Sequence, residues 1–273
     1  MNQFQHLFRL DKKVAVVTGG TGILGSEFCR ALCDLGALVA CIDVNEDSMK
    51  SFIKQLNDEY GEERIAGFLC DVSDQKSVAT TVSAIIKRFS KIDILLNNAA
   101  TKTKDINDFF TPFSAFALDT WREVMSVNLD GMFLMAQAVG THMVERKQGA
   151  IAQTASIYSL IAPDHRIYQG SHYLGREINT PAVYTASKAG VIGLTKHLAT
   201  LWAEYGVRVN ALCPGGVSSG QNNEFNQKYS ARVPMGRMAQ TIDIVGPMMF
   251  LVSDAAQYMT GQVLYADGGL SAW

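Results

Sequence analysis

In the stretch Val183-Tyr184-Thr185-Ala186-Ser187-Lys188-Ala189-Gly190, a tyrosine and a lysine stand four residues apart. On a helix that spacing puts both side chains on one face, about one turn from each other. A phenol titrates near ~10 and moves protons poorly at neutral pH. A neighbouring ammonium favours the phenolate, lowers that value and makes the tyrosine a usable general acid/base. Such pairs also occur on plain exposed helix faces, so the meaning of this one depends on what the rest of the chain brings to it.

Val14–Thr18 is a run rich in β-branched residues that ends in Gly19-Gly20-Thr21-Gly22-Ile23-Leu24-Gly25. An amphipathic segment, 26–35, follows and stops at Gly36, which reads as strand, glycine turn and helix. The next apolar run, 38–42, ends in Asp43, 18 positions beyond Gly25. Glycines let the backbone approach a pyrophosphate, a helix N-terminus offers it free N–H groups, and a carboxylate accepts hydrogen bonds from an adenosine ribose. The pattern then repeats, with helices expected at 47–60, 75–89, 118–146, 184–205 and 241–253 and strands at 64–70, 92–96, 149–154, 207–213 and 262–265. Alternating strands and helices predict an α/β, doubly wound parallel sheet with helices on both faces, formed by a single domain over 1–273. Ligands of such sheets bind beyond the carboxyl ends of the strands, which is where Gly19, Asp43, Asp71, Asn97, Ser156 and Pro214 fall.

The 273 residues are 48% hydrophobic and 18% charged, as in an ordinary globular protein, and the formal charge of −2 gives no reason to expect nucleic acid or an anionic membrane as partner. Residues 1–13 lack the apolar core of a signal peptide and no apolar run reaches the length of a membrane span, so a soluble, cytoplasmic protein is expected. Cys29, Cys33, Cys41, Cys70 and Cys213 lie in apolar segments and read as reduced, buried thiols. Neither they nor the five histidines form a ligand spacing, and no metal is expected.

Taken together, Thr18-Gly-Gly-Thr-Gly-Ile-Leu-Gly25, Asn97-Asn-Ala-Ala100, Asn128, Ser156, Tyr184-x-x-x-Lys188 and Pro214-Gly215 resemble the short-chain dehydrogenase/reductase family, over nearly the whole chain. The tail, from Pro234-Met-Gly-Arg237 to Asp267-Gly-Gly269, fits the same family. The resemblance implies a Rossmann-type sheet of about seven strands and an oxidoreductase interconverting a secondary alcohol and a ketone. It implies that Tyr184 is the acid/base and that Ser156 hydrogen-bonds the substrate oxygen. Lys188 would lower the tyrosine's pKa and hold the nicotinamide ribose, and Asn128 would position a water linking Lys188 to solvent. Gly19, Thr21, Gly22, Ile23, Leu24 and Gly25 would cradle the cofactor, Asp71 and Val72 flank its adenine, Asn97 and Ala99 lie on its adenosine side, and Val217 meet its carboxamide. Relatives pair through the long helices corresponding to 118–146 and 184–205, so a homotetramer or homodimer is expected.

Two departures stand out. The glycine usual one residue after Gly22 is Ile23, and Ser156 and Tyr184 lie 28 positions apart, roughly twice the separation most of the family shows. The extra segment, 160–181, must leave and return beside the catalytic residues, so it is expected to line or cover the substrate pocket. The run Ser156-Ile-Tyr-Ser-Leu-Ile-Ala-Pro-Asp164 is similar to a gluconate 5-dehydrogenase-like subgroup and to enzymes of sugar modification. That likeness suggests a small, polyhydroxylated substrate, a sugar, sugar acid or polyol, with Arg166 or Arg176 contacting a carboxylate or phosphate where the substrate carries one. The polar segment 218–233 suggests a mobile lid. Asp43 would repel a 2′-phosphate, and no Arg or Lys lies in the glycine turn or just after Asp43, which predicts NAD as cofactor. Two other readings stay open: a ketoacyl- or steroid-type reductase, against which the polar insert argues, and a nicotinamide-sensing module, which would not need Tyr184 and Lys188 together.

Overall fold

The computed structural model describes residues 4–61, 63–173 and 175–273; the first three residues of the polar N-terminal segment, Glu62, and Leu174 within the 160–181 insert lie outside them. Strands β1 (Val14–Thr18), β2 (Leu38–Asp43), β3 (Ile65–Leu69), β4 (Ile94–Asn97) and β5 (Gly149–Thr154) come first. The insert then forms a short hairpin of β6 (His172–Tyr173) and β7 (Arg176–Glu177), followed by β8 (Val207–Pro214) and β9 (Val263–Ala266). All but the hairpin make one seven-stranded parallel sheet in the order β3-β2-β1-β4-β5-β8-β9. The order reverses between β1 and β4, and the crevice at their carboxyl ends is where such sheets take ligands.

Every residue of β1 is buried, as a central parallel strand covered on both faces requires. On one face α1 (Ile23–Asp34) and, from the far end of the chain, α9 (Thr241–Val252) supply Phe28, Leu32, Ile244, Met248 and Leu251. α2 (Glu46–Tyr60) adds Leu56 to the same layer. On the other face α3 (Gln75–Phe89), α6 (Gly131–Glu145) and α7 (Ala182–Trp202) supply Val78, Val82, Met135, Val139 and Leu198. The short α4 (Ile106–Phe109), α5 (Leu118–Met125) and α8 (Asn223–Ser230) lie outside these layers, over the carboxyl ends of the strands.

Side chains close several helix starts: Asn45 Oδ1 accepts from Ser48 N–H, Asp74 Oδ1 from Ser77 N–H, Asp105 Oδ1 from Asn107 N–H and Asn222 Oδ1 from Phe225 N–H, at 2.9, 2.8, 2.9 and 3.2 Å. The start of α1, at Gly22, has no side-chain cap. Its N–H groups are left for something other than the protein. The expected long helix 118–146 is interrupted by a π turn at Ser126–Asp130, one residue wider than α, which carries Asn128 inward.

Below the sheet, Asp93 ties three elements together. Its carboxylate is almost wholly buried, accepts from Val14 N–H at 2.9 Å and pairs with Arg146 at 2.8 Å and Lys91 at 2.9 Å. These donors hold its carboxyl below the usual range despite the burial that opposes ionisation. Asp93→Ala leaves the Val14 N–H and the Arg146 guanidinium without their acceptor and is expected to cost about 3–5 kcal/mol of stability, read as a lowered urea midpoint at pH 7.

Candidate active site

A cleft of about 980 Å³ runs along the carboxyl ends of the strands, and Ser156, Tyr184, Lys188, Asp43 and the glycine turn all open into it. At one end the turn between β1 and α1 is built on close contact. Gly19 has φ +62°, and a Cβ there would stand 3.0 Å from Ala99 Cα. At Gly25 a Cβ would meet Gly19 O at 2.0 Å, so any larger residue would force α1 off the turn. Gly25 therefore shapes the cradle from behind, while Gly19, Thr21, Gly22, Ile23 and Leu24 line it. Ile23 is the first residue of α1, with helical backbone and a half-exposed side chain, so the position that differs from the usual pattern has no need of glycine here.

Asp43 ends β2 facing this turn. One carboxylate oxygen accepts from Thr21 N–H (3.0 Å) and Thr21 Oγ1–H (2.7 Å), the other from Val44 and Asn45 N–H (2.8 and 3.1 Å). Four donors fix the orientation of the acid. Asp71, Val72 and Ala99 also line the cleft, as do Pro214, Gly215 and Val217 farther along. An adenosine ribose, a pyrophosphate and a nicotinamide ring fit this series: an oriented carboxylate, uncapped helical N–H groups and an apolar strand end.

Asn97 departs from expectation. Its side chain is buried, with Nδ2 donating to Met132 O at 2.8 Å and Oδ1 facing Thr18 Oγ1 at 3.4 Å, so it braces β1, β4 and α6 and does not reach the cleft wall. The neighbouring Asn98 lines the cleft instead. Thr18 Oγ1 accepts from the N–H groups of Asn98 and Ala99, at 2.8 and 3.0 Å, and so sets where that strand end lies.

At the middle of the cleft, α7 presents Tyr184 and, one turn on, Lys188. The lysine is 2% exposed, and its Nζ donates to Thr154 O at 2.8 Å. Burial drives its pKa down to about 8. The expected lowering of the phenol is not what this structure displays: desolvation raises Tyr184, and the Ser156 hydroxyl beside it opposes that rise. The Lys188 ammonium is turned toward the Thr154 carbonyl rather than engaged with the phenol. Ser156 is itself fixed, its Oγ accepting from Tyr158 N–H at 3.2 Å as the cap of a short 3₁₀ turn.

Asn128 stands behind the wall, fully buried. Its Oδ1 accepts from Thr101 N–H at 2.8 Å, while its Nδ2 has no partner. An unpaired buried amide donor is costly, and a bound water is the ordinary remedy.

The insert lies over the far end. Tyr168, Tyr173, Ile178, Asn179 and Thr180 line the cleft. Arg166 points away, in a two-armed pair with Asp164 at 2.8 Å and largely in solvent. Arg176 turns outward to Asn107 and to Asp105 at 3.7 Å. Neither arginine lines the cleft, so neither is placed to hold a substrate anion, because each finds an acid on its own side of the surface. Nor is 218–233 a loose polar strip. Within it α8 buries Phe225 and Tyr229, and Phe225 stacks on Tyr168 of the insert at 5.8 Å. Asn222 exchanges hydrogen bonds with His172 (2.9 and 3.0 Å), and Tyr229 Oη accepts from Gly216 N–H at 2.6 Å. The spacing of Phe225 and Tyr229, four residues apart, was the signal for this anchored helix. The sequence reading also missed Lys102, which enters the cleft from the loop after β4.

A family profile described as enoyl-(acyl carrier protein) reductase matches residues 21–271. D-threitol dehydrogenase of Mycolicibacterium smegmatis is 35% identical over 279 residues, covering 98% of each chain. A gluconate 5-dehydrogenase of Burkholderia cenocepacia, solved with NADP and tartrate, superposes with a TM-score of 0.85 at 32% identity, covering 98% of each chain. A short-chain dehydrogenase of Leptospira borgpetersenii, solved with NAD+, superposes with a TM-score of 0.84 at 33% identity, covering 96% of this chain and 94% of that one.

Lys188 carries a pH signature. Its folded pKa lies below the unfolded value, so the folded state holds fewer protons between about 8 and 10.5, and stability rises with pH across that window. Below about 8 the cost of the buried charge is fully present. In the ligand-free protein, the difference in melting temperature between wild type and Lys188→Met should therefore move in favour of wild type as pH rises from 8 to 10.5, by the equivalent of about 3 kcal/mol at most.

Proposed function

The chain belongs to the short-chain dehydrogenase/reductase family, and on that premise we propose that it is an NAD(H)-dependent dehydrogenase interconverting a secondary alcohol and a ketone on a sugar, sugar acid or polyol. One observation carries this reading: Ser156, Tyr184 and Lys188 meet in a single cleft whose other end is an uncapped helix start faced by Asp43. When bound, the nicotinamide supplies or accepts the hydride.

The protein's own groups do the rest. Tyr184 gives its phenolic proton to the carbonyl oxygen in reduction and takes the hydroxyl proton in oxidation. Ser156 donates to that oxygen as charge develops on it. Lys188, charged below about 8, favours the phenolate once it reaches toward the tyrosine and the ribose hydroxyls. Asn128 holds a water with its free Nδ2 and so connects the buried lysine to solvent.

Facing Tyr184, polar groups alternate with rings. Asn179 gives its Nδ2 to Phe110 O at 2.6 Å, which fixes its amide in the wall. Tyr158 and Tyr168 join their hydroxyls at 3.2 Å, while Phe109 and Phe110 add apolar lining. A chain of CH–OH units has both kinds of surface, which supports a polyhydroxylated substrate over a plain acyl or steroid chain.

NAD(H) is preferred because Asp43 stands where a 2′-phosphate would come, and Thr21, Val44 and Asp71 beside it carry no positive charge. A cytoplasmic setting is part of the proposal, in keeping with five buried cysteines that form no disulfide. So is assembly as a homotetramer or homodimer. Exposed Leu118, Phe133 and Leu201 lie on the helices whose counterparts pair in relatives, and Trp273 is exposed at the tail.

Reduced dinucleotide formation with NAD+ and with NADP+ across polyols, aldonic acids and simple alcohols should show turnover on a polyhydroxylated substrate, with kcat/KM at least about 100-fold higher for NAD+. Equal use of NADP+ would sink the cofactor assignment. Tyr184→Phe should retain NADH binding by fluorescence yet lose about 100- to 10,000-fold in kcat. Light scattering on the eluted protein should give twice or four times 29.8 kDa, and a monomer would contradict the assembly.

A further inference from the structure

We infer that Lys102 is the substrate-anion contact of this cleft, and that the preferred substrate is a sugar acid whose carboxylate it holds rather than a neutral polyol. The inference rests on the dehydrogenase reading above and names the substrate class within it.

Lys102 follows β4 in a loop whose path is fixed next door, where Thr101 N–H donates to Asn128. Its Nζ lies 4.0 Å from the centre of the Tyr173 ring, across the cleft on the insert. Tyr173 is held in place by pairing with Arg176 in the β6–β7 hairpin and by a bridge to Gln221. The insert is held against α4, which follows the Lys102 loop, by Arg176 on Asn107 and by Asn179 on Phe110 O. Lysine and ring therefore meet at a built junction between two wall segments, not on a free surface.

The ammonium's surroundings are those of a receptor. A ring face attracts a cation weakly and satisfies none of its three N–H donors. Among the described residues no carboxylate forms an ion pair with Lys102. The side chain is open to the cleft, so solvent reaches it, yet protein surrounds the cleft, and desolvation lowers the lysine's pKa with no compensating acid. Lys104 opens on the same cleft two residues on and adds to the positive potential. Glu123 also opens on this wall, its carboxylate turned to Lys104 N–H at 3.1 Å and in no ion pair with Lys102. An anion arriving beside Lys102 exchanges water for a charge-assisted hydrogen bond in a confined space, where such bonds are strong.

Relatives named for neutral polyols and relatives named for sugar acids both match this chain, and Lys102 assigns it to the second group. The test is kcat/KM with NAD+ for an aldonate, for the polyol of the same length and stereochemistry, and for the matching sugar phosphate, in wild type, Lys102→Met and Lys102→Arg. Wild type should prefer the aldonate, and Lys102→Met should lower the aldonate-to-polyol ratio about 10- to 100-fold, chiefly through KM. Lys102→Arg should restore most of the ratio. A ratio unchanged in a folded Lys102→Met protein, judged by its melting curve and NADH binding, would overturn the inference and leave the dehydrogenase reading standing. Preference for the phosphate would replace the carboxylate. Absence of turnover on all three classes with either dinucleotide would remove the dehydrogenase reading, and this inference with it.

Discussion

One hydrogen bond holds the chemistry of this molecule together: the buried Lys188 ammonium donating to the Thr154 carbonyl. A charge without solvent needs an acceptor, and the nearest lies two residues before Ser156 at the end of β5. Satisfying it locks α7 to the sheet at a single rotation. Tyr184, one turn away on the same face, then comes beside Ser156, where it also packs among side chains of the insert, α8 and α4. Burial lowers the lysine to about 8 and raises the tyrosine, so two groups that titrate close together in water are pushed apart, the phenol holding its proton while the lysine gives up charge more readily.

The cofactor end rests on a close-packed backbone turn and on two side chains at strand ends. Gly25 lets α1 start against Gly19, Thr18 gathers the N–H groups beyond β4, and Asp43 grips the turn through Thr21. These contacts are short, local to strand ends and independent of the substrate. That is consistent with neighbours holding NADP or NAD+ on one framework.

What could be read in advance follows the range of the forces involved. The glycine turn, Asp43, Ser156 and the Tyr184/Lys188 pair announce themselves by spacing and by their places at strand or helix ends. The sheet followed from alternating runs, with errors of a residue or two where a polar group such as Asp93 is buried by partners from elsewhere. Asn97 was misplaced because its partners, Thr18 and Met132, are distant in the chain. Lys102 was missed because a lysine in a polar loop is ordinarily solvated, and only the fold brings Tyr173 to it. Arg166 was misjudged although its competitor, Asp164, was two residues away in plain view.

The wall over the substrate is assembled from three distant segments, the loop near Lys102, the insert and α8, joined to one another more than to the sheet. Such a roof can open locally while the strands beneath it stay paired. The protein is thus divided into a permanent floor and a separable cover. Amide exchange should be quickest in the hairpin and α8 and slowest in β1, β4 and β5. New substrates would be acquired by rebuilding the cover, while the floor keeps its reaction.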